Sequence, residues 1–240
     1  MPVIEFKGAA VTYDGNTVLQ PLTTRLSEQR IGIIGSNGSG KSTTVRLING
    51  LIEPTSGQVL YDDLSPTTQG RDVRKRVGFV FSDAESQIVM PRVSDDVAFS
   101  LRRFKLPRDE VRSRVDDALA RFELTDLAEN SPHTLSGGEK QMLALASVMV
   151  IEPDTIIADE PTTLLDLRNR KRIVRELNAL EQQLIVVTHD LDMLRDFERV
   201  LVIDDGALVY DSNPADAIAF YTDLMLSLIH ISEPTRLRRI

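Results

Sequence analysis

The sequence predicts an α/β domain whose mixed sheet is flanked by helices, and three patterns support this prediction. Short β-branched runs fill the first sixty residues, a mostly helical segment extends from about residue 94 to residue 150, and strands then alternate with helices to about residue 210. Alternating strands and helices are typical of a parallel sheet that is covered on both faces. We therefore expect one α/β core with an antiparallel β subdomain at the N-terminus and a helical insertion.

The first sixty residues are predicted to form mostly antiparallel strands. Asp14-Gly15-Asn16 is a turn that is typical of a hairpin. The predicted strands of this part occupy residues 3–6, 10–13, 18–22, 30–34 and 58–61. The run at 30–34 differs from the others because it leads into a glycine-rich loop and then into a predicted helix at 42–51. We therefore expect a strand–loop–helix unit around residue 35.

The helical insertion is predicted over residues 94–150. Pro107 is expected early in one helix, where the missing N–H of proline is tolerated. The apolar stripe of that helix is formed by Val111, Val115, Leu119 and Phe122, at spacings of four, four and three residues. Beyond it we expect a helix over 139–150, strands at 155–158, 184–188, 200–204 and 207–210, and a helix over 166–180.

The composition excludes several classes of protein. The chain has 240 residues with 28 basic and 36 acidic side chains, a formal charge of −8, and no cysteine. The acidity disfavours nucleic-acid binding through bulk charge. The absence of cysteine excludes disulfides and thiolate metal sites and suits a reducing cytoplasm. Without a leader segment or a run of about 20 apolar residues, we expect neither secretion nor a membrane span, so a membrane role requires a partner.

A glycine-rich loop follows the apolar strand at 30–34. It fits the pattern G-x-x-x-x-G-K-[ST] with Gly35, Ser36, Asn37, Gly38, Ser39, Gly40, Lys41 and Ser42, and Thr43 comes next. Glycines let backbone N–H groups converge on phosphate oxygens at a helix N-terminus. Lys41 is expected to reach the β- and γ-phosphates and Ser42 to ligate Mg²⁺. The loop therefore predicts a nucleoside triphosphate site; the alternative is a glycine turn that happens to precede Lys-Ser.

Two acids, Asp159 and Glu160, end the predicted strand at 155–158. The C-terminal edge of a buried parallel strand faces the phosphate crevice of an open α/β sheet. Asp159 is expected to hold hydrated Mg²⁺, and Glu160 to polarise the attacking water. Taken alone, the segment is better interpreted as a pair of solvated acids at the end of a strand. The glycine-rich loop earlier in the chain makes the catalytic interpretation the favoured one.

A Ser-Gly-Gly turn opens the predicted helix at 139–150. Ser136, Gly137 and Gly138 expose N–H groups and a hydroxyl at a second helix N-terminus, which predicts a second anion site. Alone, the turn could equally be a helix cap. Together with the glycine-rich loop and the Asp159-Glu160 pair, it resembles the signature sequence of ATP-binding-cassette (ABC) ATPases. The resemblance extends from about residue 3 to residue 215 and implies a P-loop NTPase core with the signature on the helical insertion.

The resemblance also implies a head-to-tail dimer, in which the signature of one subunit covers ATP held by the P-loop of the other. Tyr13 would then stack on adenine, Asp166 would lie in the loop that signals between the two sites, and His189 would contact the γ-phosphate. The alternative for Tyr13 is an ordinary strand aromatic, and without the resemblance a lone histidine after a strand, such as His189, is usually structural.

One position departs from the family pattern. Ser82 follows the predicted strand at 77–81, where the family has a glutamine that reaches Mg²⁺ and the attacking water. The Ser82 side chain is shorter than glutamine, so we expect its hydroxyl to reach Mg²⁺ or the attacking water only through a bridging water. Slower hydrolysis, or altered coupling to the membrane partner, should follow. The segment after it, from Glu85 to Phe99, resembles the ATPases of energy-coupling-factor importers of vitamins and transition-metal ions, and most of all those for biotin. Gln87 matches a second glutamine of that subfamily, and residues 82–96 would receive the coupling helix of a membrane partner.

The implied function is an ATPase subunit at the cytoplasmic face of the cell membrane that uses ATP and Mg²⁺. Its implied partners are a second ATPase subunit, a transmembrane coupling subunit and a substrate-binding membrane subunit. A cassette for translation normally carries two P-loops in one chain, and one for DNA repair carries a long coiled coil between P-loop and signature, so both are disfavoured. A cassette for iron–sulfur assembly and an importer of a solute other than biotin both stay open. The basic runs at 71–76 and 102–105 are expected to be solvated surface or partner contact rather than a nucleic-acid site.

Residues 226–240 break the pattern of the preceding chain. Their first eleven residues match the translation of a transposon-based sequencing adapter. The sequence therefore predicts a single native domain over residues 1–225 and a non-native tail over 226–240. The alternative is a genuine C-terminal helix.

Overall fold

The computed structural model of the chain describes residues 1–163 and 165–232, with side chains up to residue 227. It confirms the predicted α/β class. In chain order the strands are β1 (Ile4–Tyr13), β2 (Asn16–Leu26), β3 (Arg30–Ile34), β4 (Ser56–Tyr61), β5 (Val77–Val80), β6 (Thr155–Asp159), β7 (Gln183–Val187), β8 (Arg199–Asp204) and β9 (Ala207–Ser212). The helices are α1 (Lys41–Ile48), α2 (Gly70–Arg76), α3 (Val93–Leu101), α4 (Arg108–Arg121), α5 (Gly137–Met149), α6 (Leu167–Asn178) and α7 (Pro214–Ser232).

The antiparallel subdomain is a three-stranded sheet in the order β2-β1-β4. The two strands expected at 3–6 and 10–13 are one continuous strand, β1. Its pairing with β2 shifts register between Phe6 and Ala9, and Gly8 between them has a φ of +61°. A glycine adopts this conformation without strain, so the strand bends at a bulge and continues.

The central sheet has six strands in the order β5-β6-β7-β3-β8-β9. The first five strands run parallel, and β9 returns antiparallel to β8. The strands β3, β6 and β7 are therefore neighbours, and their C-terminal ends meet at one edge of the sheet. Because the glycine-rich loop follows β3 and the acidic pair ends β6, this strand order brings the two predicted motifs together.

Each face of the central sheet packs against a different layer. Ile156 and Leu184 face a cluster that contains residues of α5 and α6. Ile157 and Ile185, one residue further along, face a cluster that contains residues of β1, β2 and α1. Both faces are buried, which explains why these strands are apolar throughout and not alternating.

The helical insertion consists of α3, α4, α5 and short 3₁₀ turns. Val115, Leu119 and Phe122 are buried as the stripe predicts, whereas Val111 is only partly buried. The expectation for Pro107 is wrong by one position. Its ψ of 149° is extended, so Pro107 is the residue before the helix and Arg108 begins it.

The C-terminal helix α7 packs against β8 and β9. The rings of Tyr210 and Phe220 stack there, with centroids 4.5 Å apart. The backbone of α7 continues to Ser232, and residues 233–240 of the predicted non-native tail lie outside the described residues, so that expectation stays a prediction. Among the residues that the structure describes, no helix is both long and apolar enough to span a membrane.

Candidate nucleotide-binding and active site

The glycine-rich loop is fixed between the ends of β3 and α1 by close backbone contacts. A Cβ atom added to Gly35 would lie 1.9 Å from the Ile203 carbonyl oxygen. One added to Gly40 would lie 2.7 Å from the Val18 carbonyl oxygen. The loop therefore rests against β8 and β2, and only glycine fits at these two positions.

Lys41 begins α1 and folds back over the loop that precedes it. Its Nζ donates hydrogen bonds to the carbonyl oxygens of Gly35 (2.9 Å) and Ser36 (2.7 Å). Burial lowers the pKa of Lys41, and the negative charges of Glu160 and Asp159 oppose that shift. Two hydrogen bonds to backbone carbonyl groups thus hold the ammonium group within the loop.

The hydroxyl groups of the loop differ in their surroundings. Ser36 Oγ donates to Asp204 Oδ1 at 3.2 Å. Ser39 Oγ is buried and has no hydrogen-bond partner within the described chain. Asn37 and Gly38 are exposed, and Thr43 lies partly buried in the first turn of α1. A buried hydroxyl without a partner is costly, so a bound molecule or water that reaches Ser39 would satisfy it.

Asp159 ends β6 directly beside the start of α1. Its Oδ1 accepts a hydrogen bond from Ser42 Oγ at 2.8 Å, and its Oδ2 lies 3.3 Å from Arg46 Nη2. The carboxylate is almost fully buried, with 1% of the residue exposed. A hydroxyl and a carboxylate are the hard oxygen donors that Mg²⁺ prefers, and Mg²⁺ usually keeps several waters and takes only one or two carboxylates. The residues present therefore fit Mg²⁺.

Glu160 follows Asp159 in a strained backbone conformation. Its φ is +54°, in the left-handed region that non-glycine residues rarely adopt. Its N–H donates to the Val187 carbonyl oxygen at 2.8 Å, which fixes the residue against the end of β7. Such strain persists only where the surrounding structure enforces it and is frequent at active sites.

The Glu160 side chain lies against His189, the residue two positions after β7. His189 Nε2 is 3.0 Å from Glu160 Oε1, but the contact lacks hydrogen-bond geometry, so this buried oxygen has no hydrogen-bond partner in the described part of the chain. Burial raises the pKa of Glu160, and the charge of His189 opposes the shift. A carboxylate with a raised pKa beside a histidine is an arrangement suited to acid–base chemistry.

A cleft of about 590 Å³ opens beside Glu160 and His189. Thr162, Thr163 and Arg170 also line it. His189 keeps 45% of its side chain exposed toward solvent, whereas 16% of the Glu160 side chain is exposed. The paired groups are thus reachable from outside without being fully solvated.

The Ser-Gly-Gly turn caps α5. The Ser136 backbone N–H donates to Glu139 Oε2 at 2.7 Å, and the Glu139 N–H donates to Ser136 Oγ at 3.4 Å, which makes a reciprocal capping box. Gly137 is exposed, and a Cβ at this position would meet nothing. Gly138 is buried, and a Cβ there would lie 2.2 Å from Asn169 Oδ1 on α6. The described contacts join this turn to α6, and none joins it to the chain's own glycine-rich loop.

The structure also describes three further predicted residues. Asp166 is exposed and caps α6 by accepting a hydrogen bond from the Asn169 N–H at 2.8 Å. Leu164, two residues before Asp166, lies outside the described residues. Tyr13 ends β1 at the hairpin and is 48% exposed. Ser82 is partly buried and lies two residues after the last pair of β5 with β6, Val80 with Ala158.

Sequence reasoning missed two residues of this site. Arg46 lies four residues after Ser42 on α1, so the helical period puts both on one face and could have indicated that Arg46 also reaches Asp159. Asn169 follows Asp166 by three residues, but its contact with Gly138 depends on how α5 and α6 pack, which no local pattern indicates.

The loop, the acidic pair and the histidine, at the ends of neighbouring parallel strands, define a P-loop ATPase. The family model for the ABC transporter matches residues 19–163, and the chain belongs to this family as the ATP-binding and ATP-hydrolysing subunit of a transporter.

Several ATP-binding subunits of transporters are similar to this chain. The biotin transport ATP-binding protein BioM of Rhizobium etli is 45% identical, over 92% of this chain and 98% of the relative. The energy-coupling factor transporter ATP-binding protein EcfA1 of Oceanobacillus iheyensis is 37% identical, over 89% of this chain and 79% of the relative. Among solved structures, cbiO1 of Clostridium perfringens, part of the ABC transporter complex cbiONQ, has a TM-score of 0.79 and 32% identity, and the match covers 94% of each chain.

Proposed function

We propose that this chain drives an importer of a vitamin or a metal ion, of the energy-coupling-factor type, with biotin as the first solute to test. The observation that carries the proposal is the 45% identity to a biotin transport ATP-binding protein over 98% of that protein's length. The similarity to the energy-coupling factor protein supports the same class. The segment 82–96, which faces the membrane partner in this proposal, carries the subfamily residue Gln87.

Phosphate binding in this proposal belongs to the glycine-rich loop. The amides of residues 35–43 and the Lys41 ammonium hold the β- and γ-phosphates of ATP. Ser42 and Asp159, 2.8 Å apart, hold Mg²⁺. When bound, Mg²⁺ neutralises charge that develops on the β- and γ-phosphate oxygens. Tyr13 stacks on the adenine ring.

Hydrolysis in this proposal depends on the pair that ends β6 and follows β7. Glu160 orients and polarises the attacking water. His189 positions the Glu160 side chain and contacts the γ-phosphate. Ser82 contacts the same water or Mg²⁺ through a bridging water. Because the residues mainly position groups and stabilise charge, small displacements of Glu160 reduce the rate strongly.

The site is completed in a head-to-tail dimer. Ser136, Gly137 and Gly138 of one subunit close over ATP on the other, and Asp166 lies in the loop between the two sites. The dimer, homomeric or heteromeric, binds a transmembrane coupling subunit and a substrate-binding membrane subunit at the cytoplasmic face of the membrane. The disfavoured alternative is a cassette of a non-transport complex such as iron–sulfur cluster assembly.

The experiment is reconstitution with the membrane subunits encoded next to the gene. We expect the wild-type chain to co-purify with integral membrane subunits from detergent extracts and to support uptake of labelled biotin in cells that lack their own uptake system. The matched control is Glu160→Gln, which should assemble but not support uptake. ATP hydrolysis without any co-purifying membrane subunit would contradict the proposal and favour the soluble alternative. If the chain assembles and supports uptake of another vitamin or of a metal ion, biotin would be the wrong solute and the importer class would still hold.

A further inference from the structure

Arg170 and Asp190 form an ion pair beside the candidate active site. Arg170 Nε donates to Asp190 Oδ2 at 2.8 Å, and Nη2 of the same guanidinium lies 2.5 Å from that oxygen. Both residues line the cleft of about 590 Å³ that opens beside Glu160 and His189. Asp190 directly follows His189 in the sequence, so the ion pair holds the backbone on one side of the histidine.

The two partners of the ion pair differ in exposure. The Arg170 side chain is 42% exposed, whereas only 11% of the Asp190 side chain is exposed. A carboxylate that is nearly buried loses most of its hydration, so it needs a charged partner within the protein. Arg170 supplies that partner. Because two donors of its rigid, planar guanidinium meet the same oxygen, the contact fixes the direction of the Asp190 side chain.

The Asp190 carboxylate is not used in the way that its position favours. Asp190 precedes the 3₁₀ turn Leu191–Leu194, and an aspartate at such a position usually accepts a hydrogen bond from a backbone N–H of the turn. Among the described residues, this carboxylate caps no N–H of the turn. The side chain is instead directed to α6, which carries Arg170.

The residue before His189 is also fixed. Thr188 is fully buried, and its N–H donates to the Ile33 carbonyl oxygen of β3 at 3.2 Å. The Thr188 hydroxyl accepts a hydrogen bond from the Asp190 N–H at 2.9 Å. His189 therefore lies between one residue that is tied to β3 and another that is tied to α6. Its imidazole is 3.0 Å from Glu160, so a shift of either anchor would change that distance.

We propose that Arg170 is a positioning residue for hydrolysis, which holds the His189 imidazole against Glu160 through Asp190. The inference rests on the proposed function, because that function gives His189 and Glu160 their roles. Arg170 lies four residues after Asp166, and its N–H donates to the Asp166 carbonyl oxygen at 2.8 Å. The ion pair therefore ties the position of the histidine to the first turn of α6.

An exposed ion pair that follows in the sequence provides a matched control. Arg195 Nη2 lies 2.7 Å from Asp192 Oδ1, three residues away in the sequence, and both side chains are mostly exposed. Exposed pairs of this kind contribute little to stability. The contact joins the segment after His189 to itself and not to α6. Arg195→Gln therefore removes an arginine–aspartate pair without releasing the histidine.

The first test is steady-state ATP hydrolysis by the purified chain. We expect Arg170→Gln and Asp190→Asn each to lower kcat by about ten- to a hundredfold, with the KM for ATP within about twofold of wild type. Arg170→Lys should keep more activity than Arg170→Gln, because lysine retains the charge without the planar fork. Arg195→Gln should match the wild type. A raised KM with an unchanged kcat would make Arg170 a nucleotide contact and overturn the inference.

The double variant separates positioning from a change of charge. Arg170→Gln removes a positive charge near His189 and Asp190→Asn removes a negative one, so an effect of charge alone should have opposite signs in the two variants. Loss of one shared contact should lower kcat by a similar factor in both, and combining the two changes should lower it no further. A double variant with wild-type kcat, or with the product of the two single losses, would overturn the inference.

The second test observes His189 directly and does not depend on activity. The chain has three histidines, and His189→Ala identifies the ring signal of His189 in NMR spectra of a chain labelled with ¹³C-histidine. We expect Arg170→Gln and the isosteric Asp190→Asn to shift this signal, as Glu160→Gln should, and Arg195→Gln to leave it in place. An unmoved signal in folded Arg170→Gln and Asp190→Asn would overturn the inference. A wild-type turnover of His189→Ala would instead overturn the role that the proposed function gives to His189.

Discussion

Replacing Gly35 by alanine should destabilise the chain much more than the same change at Gly38 in the same loop. Both glycines have positive φ, +155° and +79°. A Cβ at Gly38 meets nothing within 4 Å, whereas one at Gly35 lies 1.9 Å from the Ile203 carbonyl oxygen and 2.7 Å from Ser39 Oγ. Ser39 can rotate, but the Ile203 carbonyl belongs to β8 and cannot move without disturbing the sheet.

The magnitude follows from two separate costs. A side chain in a positive-φ conformation costs about 1–2 kcal/mol, which both variants incur. Forcing a methyl group into a packed region adds about 1–3 kcal/mol, which only Gly35→Ala incurs. The free energy of unfolding should therefore fall by about 1–2 kcal/mol for Gly38→Ala and by about 2–5 kcal/mol for Gly35→Ala.

Urea unfolding at room temperature measures these differences, and binding of a fluorescent ATP analogue reports the loop itself. Gly8→Ala is the matched control, because Gly8 has a φ of +61°, open space around its Cβ position and no place in the loop. It should lose about as much stability as Gly38→Ala while binding nucleotide normally. If Gly35→Ala and Gly38→Ala lost equal stability, the packing of the loop against β8 would be wrong.

Four further predictions concern the active site. Glu160→Gln should slow hydrolysis by about 10²- to 10⁴-fold and accumulate an ATP-bound dimer on size-exclusion chromatography, and a wild-type turnover would exclude Glu160 as the base. Burial raises the pKa of Glu160, so the ionised carboxylate costs stability in the folded chain. Activity should fall as the pH drops through the raised pKa, and Glu160→Gln should raise the melting temperature at neutral pH but not in acid, where the carboxyl is protonated in both the folded and the unfolded chain. Ser82→Gln should raise steady-state turnover by up to about tenfold, the value of one hydrogen bond, and an unchanged turnover removes the basis for the Ser82 hypothesis. Gly138→Ala should lower the free energy of unfolding in urea by about 1 kcal/mol more than Gly137→Ala, because only the former displaces the Asn169 side chain; the reverse order would contradict the described packing.

The contiguous motifs of the site could be predicted because short-range geometry defines them. A strand, a glycine-rich loop and a helix in succession expose backbone N–H groups in only a few ways, so Lys41 and Ser42 could be placed from the sequence. Two acids at the end of an apolar strand face the loop edge of the sheet for a similar reason. The approach of Ser42 to Asp159 depends in addition on the strand order β6-β7-β3, which the alternation of strands and helices allows but does not determine.

The parts that sequence reasoning missed depend on packing between distant segments. The strand break expected near Gly8 is absent because β4 and β2 both pair with β1 and hold the bulge in the sheet. The two basic segments were expected to be solvated surface or a partner contact. Arg74 of the first and Arg103 of the second line the same cavity, which requires the packing of α2, α3 and β5. No pattern within either segment indicates the other.

Several buried polar side-chain atoms of the described residues lack a hydrogen-bond partner. Buried side-chain atoms without a partner in the described residues are Ser39 Oγ, Arg46 Nε, Gln141 Nε2, Glu160 Oε1 and Arg172 Nε. Three of these atoms lie at one edge of the central sheet. Ser39 belongs to the glycine-rich loop, Arg46 contacts Asp159, and Glu160 is part of the acidic pair.

Two charged groups of the same site, Lys41 and Asp159, do have hydrogen-bond partners. Lys41 binds two carbonyl groups, and Asp159 binds Ser42 and Arg46. Nucleotide binding would therefore exchange these contacts for stronger charge-assisted ones while giving Ser39 and Glu160 the partners they lack. The net gain comes from both sources, so Ser39→Ala, which removes an unsatisfied hydroxyl, should weaken ATP binding while leaving the unfolding free energy of the nucleotide-free chain unchanged or higher. A loss of stability without nucleotide would mean that Ser39 has a structural partner after all.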